Sequence, residues 1–255
     1  MTISPAKSPE PAAARRPIAA VRISTVALLG IVSAVAVPAG AAALVLSGTI
    51  DGKHQSVGIA ETRKVTKVVI EDSNGSVHVN GDPTRSGVSG TADLTWHGSD
   101  KPPLGLDQSV TDGVLTLKRV CLRGGCGGGA DITISLPPDV AVQVHTSNGA
   151  VEVYDVTGDV DLHTSNSPIT VGRLGGGKAT LRTSNGPVEA GFTGAPALIT
   201  ISTSNAPVTV TLDGRTPYYD YVTADNGKID LQNKPDRYAD HEVHVDTSNG
   251  DVTVK

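Results

Sequence analysis

The chain has 255 residues, a formal net charge of −5 at pH 7, 38% hydrophobic residues and only 3% aromatic ones. That length suits one large domain or two small ones. The acidic balance argues against general binding to nucleic acid, one Trp and one Phe are a poor basis for base stacking, and two Cys cannot staple a small disulfide scaffold.

Residues 1–22 come first in the chain. They are rich in Pro and Ala and carry Lys7, Arg15, Arg16 and Arg22 against the single acid Glu10. We assign them to a disordered cytoplasmic tail. From Ile23 to Leu46 there is no charged residue, a run of 24, beyond the roughly 20 that span a bilayer. Gly30, Pro38 and Gly40 interrupt it, but membrane helices tolerate such residues. The expectation is a transmembrane helix over 23–46, an uncleaved signal-anchor. Its basic N-terminal flank keeps the N-terminus in the cytoplasm and sends the rest outside. That describes a single-pass cell-membrane protein with an extracellular C-terminal domain. The alternative is a cleaved signal peptide, with Ala39-Gly40-Ala41 as the small-residue cleavage pattern. Residues 1–47 carry a net +3, which leaves −8 for the remainder.

Residues 48–140 read as irregular N-terminal β coils that cap the regular array after them. Strand-like runs lie near 87–96, 114–120 and 131–136. A degenerate copy of the later repeat is formed by Ile70, Asn74, Gly75, Val77 and Val79. Within this part Cys121 and Cys126 flank Leu122-Arg123-Gly124-Gly125. Outside the cytoplasm such a pair most simply forms a disulfide, and the glycines let the two Cα atoms approach. The rival, half of a metal site, lacks a second Cys pair or a nearby His.

Residues 141–255 are a regular repeat. Thr-Ser-Asn recurs at 146–148, 164–166, 183–185, 203–205 and 247–249, and Ala224-Asp225-Asn226 fills the same slot. Including the degenerate copy, the marker residues are Asn74, Asn148, Asn166, Asn185, Asn205, Asn226 and Asn249. From Asn148 the spacing grows from 18 to 23 residues. Four before each Asn stand Val144, Leu162, Leu181, Ile201, Val222 and Val245. Three after it stand Val151, Ile169, Val188, Val208, Ile229 and Val252. Period-two alternation of β-branched residues on both sides of a turn predicts strand, turn, strand. Asn-Gly suits the turn because both residues tolerate positive φ. It also signals hairpins, so an antiparallel meander is a rival. Constancy of residue type in each column favours stacking over a meander. The expected fold is all-β: a single-chain parallel β-solenoid, or β-helix, of roughly 18–23 residues per coil, preceded by one transmembrane helix. Val222 should lie in the buried column, and the strands near 243–247 and 251–254 should form the open end. Pro168, Pro187 and Pro207, which lack N–H donors, should interrupt the ladder beside the turn.

The repeated Thr-Ser-Asn-Gly-x-Val-x-Val unit resembles the bacterial putative-adhesin domain family of unknown function. So do the opening pair Val68-Val69-Ile70…Ser73-Asn74-Gly75-Ser76-Val77 and the run Asp131-Ile132-Thr133-Ile134-Ser135-Leu136-Pro137. The resemblance covers roughly residues 50–255. It implies β-strand-repeat ectodomains, an N-terminal membrane segment and adhesion, and it carries no catalytic residues to transfer.

The candidate chemistry is sparse. His145, His163 and Arg182 share one outward column. His241 and His244 are three apart, which in a strand points them to opposite faces. The acids Asp159, Asp161, Glu189, Asp230 and Asp251 form no recurring column beside a base. No catalytic, cofactor or metal site is expected. The leading expectation is a non-enzymatic, membrane-anchored adhesin-like surface or scaffold module of the cell envelope. Its partners would be an envelope protein, a glycan or a second copy at the C-terminal coil edge, and not nucleic acid. The alternatives are a ligand-sensing ectodomain of an envelope-stress pathway and a glycan-active β-helix enzyme.

Overall fold

The computed structural model describes residues 50–51, 53–98, 103–122 and 127–255. The tail over 1–22, the helix expected over 23–46 and Cys126 lie outside the described residues. Among the described residues no helix is long and apolar enough to cross a membrane. The secondary structure is all β, in two mixed sheets. The N-terminal part supplies β1 (Ile50–Asp51), β2 (His54–Glu61), β3 (Lys67–Glu71), β4 (Val77–Gly81), β5 (Val88–Trp96), β6 (Leu104–Thr111), β7 (Val114–Cys121) and β8 (Gly128–Leu136). Six strand pairs come after it. They are β9 (Ala141–His145) with β10 (Val151–Tyr154), β11 (Val160–His163) with β12 (Ile169–Leu174), and β13 (Ala179–Arg182) with β14 (Val188–Phe192). Next come β15 (Leu198–Thr203) with β16 (Val208–Thr211), β17 (Tyr219–Ala224) with β18 (Ile229–Leu231), and β19 (Glu242–Thr247) with β20 (Val252–Val254). The runs near 87–96, 114–120 and 131–136 are β5, β7 and β8. The sequence reading missed β2 and β6.

In each of the six pairs the first strand joins a nine-stranded sheet and the second an eleven-stranded one. Neighbouring repeat strands are parallel throughout, so the antiparallel meander is ruled out for the array. The register is the one the columns require. Val144, Leu162, Leu181, Ile201 and Val245 align across one sheet and are at most 1% exposed. Val151, Ile169, Val188, Val208 and Val252 align across the other and are equally buried. Alternate residues of each strand face the other sheet, so the two columns form one continuous hydrophobic core. The proline carbonyls stay in the ladder despite the missing N–H groups: Val151, Ile169 and Val188 donate to Pro168, Pro187 and Pro207.

The strand order at the far end corrects the expected one. The nine-stranded sheet ends β15-β19-β17 and the eleven-stranded sheet ends β16-β20-β18. The last pair in sequence, β19 and β20, therefore lies inside the stack, and β17 and β18 form its edge. The residues explain the exchange. Register places Asp220 in the inward column of Ile199 and Val243. A carboxylate there would be desolvated between two layers. At the edge it is half-buried: Oδ2 accepts a 2.7 Å hydrogen bond from Asn233 Nδ2, Oδ1 is enclosed without a partner among the described residues, and burial raises its pKa. The all-apolar inward set Val243, Val245, Val252 and Val254 takes the dry layer instead. As a result Val222 is only half-buried, and Ile229 and Leu231 are 46% and 39% exposed.

The Asn-Gly turns also depart from expectation. No described Asn, and none of the glycines directly after them, has positive φ. Gly is needed for a different reason. A Cβ on Gly149 would lie 1.7 Å from the Gly75 carbonyl oxygen, and one on Gly186 would lie 1.8 Å from that of Ser167. Close approach of the next layer selects the small residue, not a left-handed conformation.

Candidate functional site

Three regions of the stack concentrate chemistry: the turn edge, the outer face of the nine-stranded sheet, and the end formed by β17 and β18.

The turn edge is a ladder of side-chain amides. Asn148 donates from Nδ2 to Asn74 Oδ1, Asn166 to Asn148, Asn185 to Asn166 and Asn205 to Asn185, each at 2.8 Å. Asn249 then donates to Asn205 at 2.8 Å and Asn226 to Asn249 at 2.9 Å. All seven marker residues are thus joined in spatial order, with Asn226 last. Thr146, Thr164, Thr183, Thr203 and Thr247, two before five of the asparagines, are buried inside the turns. Thr164 and Thr203 donate to the carbonyls of Gly149 and Gly186, and Thr183 Oγ1 accepts from Gly186 N–H. In the degenerate copy Asp72 takes the threonine slot and accepts from Gly75 N–H. Its buried charge is met by Arg119 on β7. The ladder is a structural seam, because in spatial order the amides from Asn148 to Asn249 each donate to one neighbour and accept from the next.

On the outer face of the nine-stranded sheet one column runs Lys118, Glu71, His145, His163, Arg182 and Ser202. The rings of His145 and His163 stack with centroids 4.6 Å apart and planes 14° apart. Burial, and then repulsion from His145 and Arg182, holds the His163 pKa below the usual histidine value. Lys118 pairs with Glu71 at 2.6 Å, and Arg182 with Asp161 at 3.6 Å. A shallow groove of about 440 Å³ lies here, lined in part by Glu71, Lys118, Gln143 and His145. Its charges are already matched across adjacent strands. Among the described residues no group of three or more His, Cys, Asp or Glu could hold a metal ion.

The remaining candidates are dispersed. His241 contacts the Pro196 carbonyl at 3.0 Å and His244 contacts Glu242 at 2.9 Å. On the eleven-stranded sheet Glu152 and Glu189 share a column with Thr170 between them. Cys121 ends β7 and is not a free thiol. One surface feature escaped the sequence reading. Asp155, directly after β10, and Arg173, on the neighbouring β12, both have positive φ, at 59° and 54°. They form a bidentate ion pair beside Tyr154. No sequence signal marks a bulge held by side chains of neighbouring layers.

The end formed by β17 and β18 has a different character. Tyr219, Tyr221, Ile229, Leu231 and Tyr238 are all exposed there. Among the described residues β17 is paired only to β19, and β18 only to β20. The sequence placed the open end at 243–254. The clue to its true position was Asp220, a carboxylate in an otherwise apolar column.

No family model matches the chain, and no characterised protein matches it in sequence. Three solved structures are similar to it. One is a putative cell adhesion protein from Clostridium sporogenes, 12% identical, with a TM-score of 0.49 over 80% of this chain and 99% of that one. Another is a putative adhesin from Bacteroides fragilis, 13% identical, with a TM-score of 0.43 over 78% and 97%. The third is a putative adhesin from Parabacteroides merdae, 12% identical, with a TM-score of 0.32 over 80% and 97%. At such identities and TM-scores, the functional reading rests on the chain's own residues.

Proposed function

We propose that the chain is a non-enzymatic, adhesin-like surface module of the bacterial cell envelope. In this reading the two sheets are the faces of one parallel β-solenoid, and residues 23–46 anchor it in the membrane with the repeats outside. The observation that carries the reading is the unbroken register of the repeat, from the Asn74 layer to the Asn226 layer. The constant residues serve stacking, and the variable ones cover the outer faces with locally paired charges. Such an arrangement makes a stiff display surface. Cys121 and Cys126, paired as a disulfide, would close the loop after β7.

The test compares attachment of cells carrying the full chain, cells lacking it and cells carrying Leu181→Asp, which breaks the stack. Attachment to a host or biofilm surface should fall in the second and third strains. Equal attachment in all three would overturn the reading. The anchor is tested separately: recovery of a mature form lacking residues 1–41, or labelling of Lys255→Cys only from the cytoplasm, would overturn it.

A further inference from the structure

Among the described residues six large apolar side chains are prominently exposed, and five of them lie between 219 and 238. Four of the chain's five tyrosines also fall within 218–238. Tyrosine is enriched in protein interfaces and depleted from ordinary surface. Beside these side chains run two strands whose outer N–H and C=O groups have no neighbouring strand, an open template for pairing. We propose that this end is the docking surface for a second copy of the chain, joined end to end about a twofold axis.

The occupant is argued from shape, charge and size. The end layer presents Val222, Ala224, Ile229 and Leu231 in the same columns that every internal layer presents to its neighbour. What fits such a face is another layer of this repeat. The opposite end does not present the repeat layer: among the described residues its edge strands are β1 and β6, which pair antiparallel with β2 and β7. Head-to-tail stacking therefore lacks a partner face, and two β17/β18 ends remain. A twofold axis across the stack makes the meeting strands antiparallel, with the same patch contributed by each copy. Around the patch Asp225, Lys228, Asp230, Lys234, Asp236 and Arg237 mix both signs. A mixed rim accepts its own copy where a single-sign rim would repel it. Asp230 lies one residue out of phase with Ile229 and Leu231, so it stays outside the apolar centre, whereas Asp220 lies in an inward column and covering β17 would desolvate it further, a cost that weakens the contact.

Size sets the strength. Register turns Tyr219 and Tyr221 to the outer face of the nine-stranded sheet beside Glu242 and His244, so of the exposed apolar residues Ile229 and Leu231 are the ones in the inward columns of the end layer, and they offer only a small apolar area. A standard stable interface buries about 800 Å² per partner. The contact should therefore be reversible, which suits copies that meet at high local density. This proposal goes beyond the adhesin-like reading and does not depend on it.

The experiment is sedimentation of the full chain in mild detergent across a concentration series. The expected result is a monomer–dimer equilibrium that Leu231→Lys weakens about tenfold or more and Glu189→Lys leaves unchanged. Because a charged variant could perturb folding, Ile229→Cys gives a second readout. Under mild oxidation it should cross-link two copies, whereas Thr209→Cys, on an interior strand, should not. A chain that stays monomeric overturns the proposal. So does a dimer that survives Leu231→Lys, or one that is lost instead on Arg182→Glu, which would assign the contact to the lateral face. Binding of a different protein at this end without self-association also overturns it. Loss of attachment by cells carrying Leu181→Asp would leave any of these outcomes readable on its own.

Discussion

The two ends of the sheets meet water by opposite devices. At the N-terminal end, β2, β5 and β6 turn antiparallel and bury Trp96 and Leu104 beneath them. A charge brought inside, Asp72, is matched there by the half-buried Arg119. At the other end the repeat simply stops. Its last layer keeps the repeat register but leaves Ile229 and Leu231 exposed. The N-terminal part keeps Ser-Asn at 73–74 with Asp72 in the threonine slot, and beyond that layer its strands turn antiparallel. The β17/β18 layer keeps only the Asn of Thr-Ser-Asn, in Ala224-Asp225-Asn226, yet keeps the parallel register of the repeat. Repeat proteins ordinarily end in a layer with a polar outer face, and position in the chain does not reveal which layer comes last in space.

Three substitutions in one column give the sharpest test of this comparison. Leu181, Val245 and Val222 are equivalent in register, so a carboxylate at each differs only in its surroundings. Leu181→Asp should cost about 4 kcal/mol or more, because an unpaired charge is buried between two layers. Val245→Asp should cost as much, although it lies only ten residues from the C-terminus, since β19 is interior. Val222→Asp should cost far less, about 1 kcal/mol. Urea unfolding of the three variants checks the order. If Val245→Asp were the mildest, β19 would be the edge and the strand exchange wrong. Amide exchange should agree, with β17 and β18 opening before β19 and β20.

The N-terminal end yields the next effect in size. Arg119→Ala should destabilise by about 3 kcal/mol, because it strands Asp72 as an uncompensated buried charge. Arg173→Ala removes an equally direct ion pair, to Asp155, but Arg173 is largely exposed, so the loss should stay near or below 1 kcal/mol. Comparable costs for the two would mean that burial does not distinguish the capping end.

These contrasts also mark how far the sequence was legible. Identity of column residues was enough to place Val144 through Ile201 and Val151 through Val208 in the core, to set parallel register, and to pick all seven ladder asparagines. Stacking turns a local pattern into a long-range prediction, because like pairs with like. Strand order was not legible at the end. Nothing in Thr247-Ser248-Asn249 says that its layer precedes the one at Asn226; only the cost of burying Asp220 does, and that appears once neighbours are known. The Asn-Gly dipeptide was recognised for the wrong reason, since the close contact at Gly149 is with a residue 74 positions earlier. The groove beside Lys118 was out of reach as well, because β7 sits next to β3 through a crossover.

The ladder itself separates interior from edge by a smaller margin. Asn185 donates to Asn166 and accepts from Asn205, whereas Asn226 donates to Asn249 and receives no side-chain donor among the described residues. A net hydrogen bond is worth about 1 kcal/mol and somewhat less when wet. Asn185→Ala should cost about 1–2 kcal/mol and Asn226→Ala about half that, read as shifts of the urea midpoint. Equal costs would imply that the ladder is not cooperative along the stack.

The smallest expected effect is a pH dependence at the stacked histidines. His163 is held below its ordinary value of 6.5 by burial, then by His145 and Arg182, with Asp161 opposing. The folded state therefore disfavours imidazolium at this site. Above the unfolded pKa both states are neutral there and the site contributes no penalty. As pH falls below about 6.5 the unfolded chain takes up the proton first, so stability declines until the folded pKa is passed. Asp220 runs the other way: with its pKa raised by burial, its contribution is present below the unfolded pKa and lost as pH rises through the folded one. The difference between the parent chain and His163→Gln isolates the histidine, since Asp220 is common to both. The parent should lose more stability than the variant between pH 7 and 5, and the His163 ring resonance should titrate below 6.5. Since β11 is interior and β17 is the edge, joining a second copy at β17 should leave that titration unchanged. A His163 midpoint that moves with protein concentration would show that the copies meet on the lateral face instead.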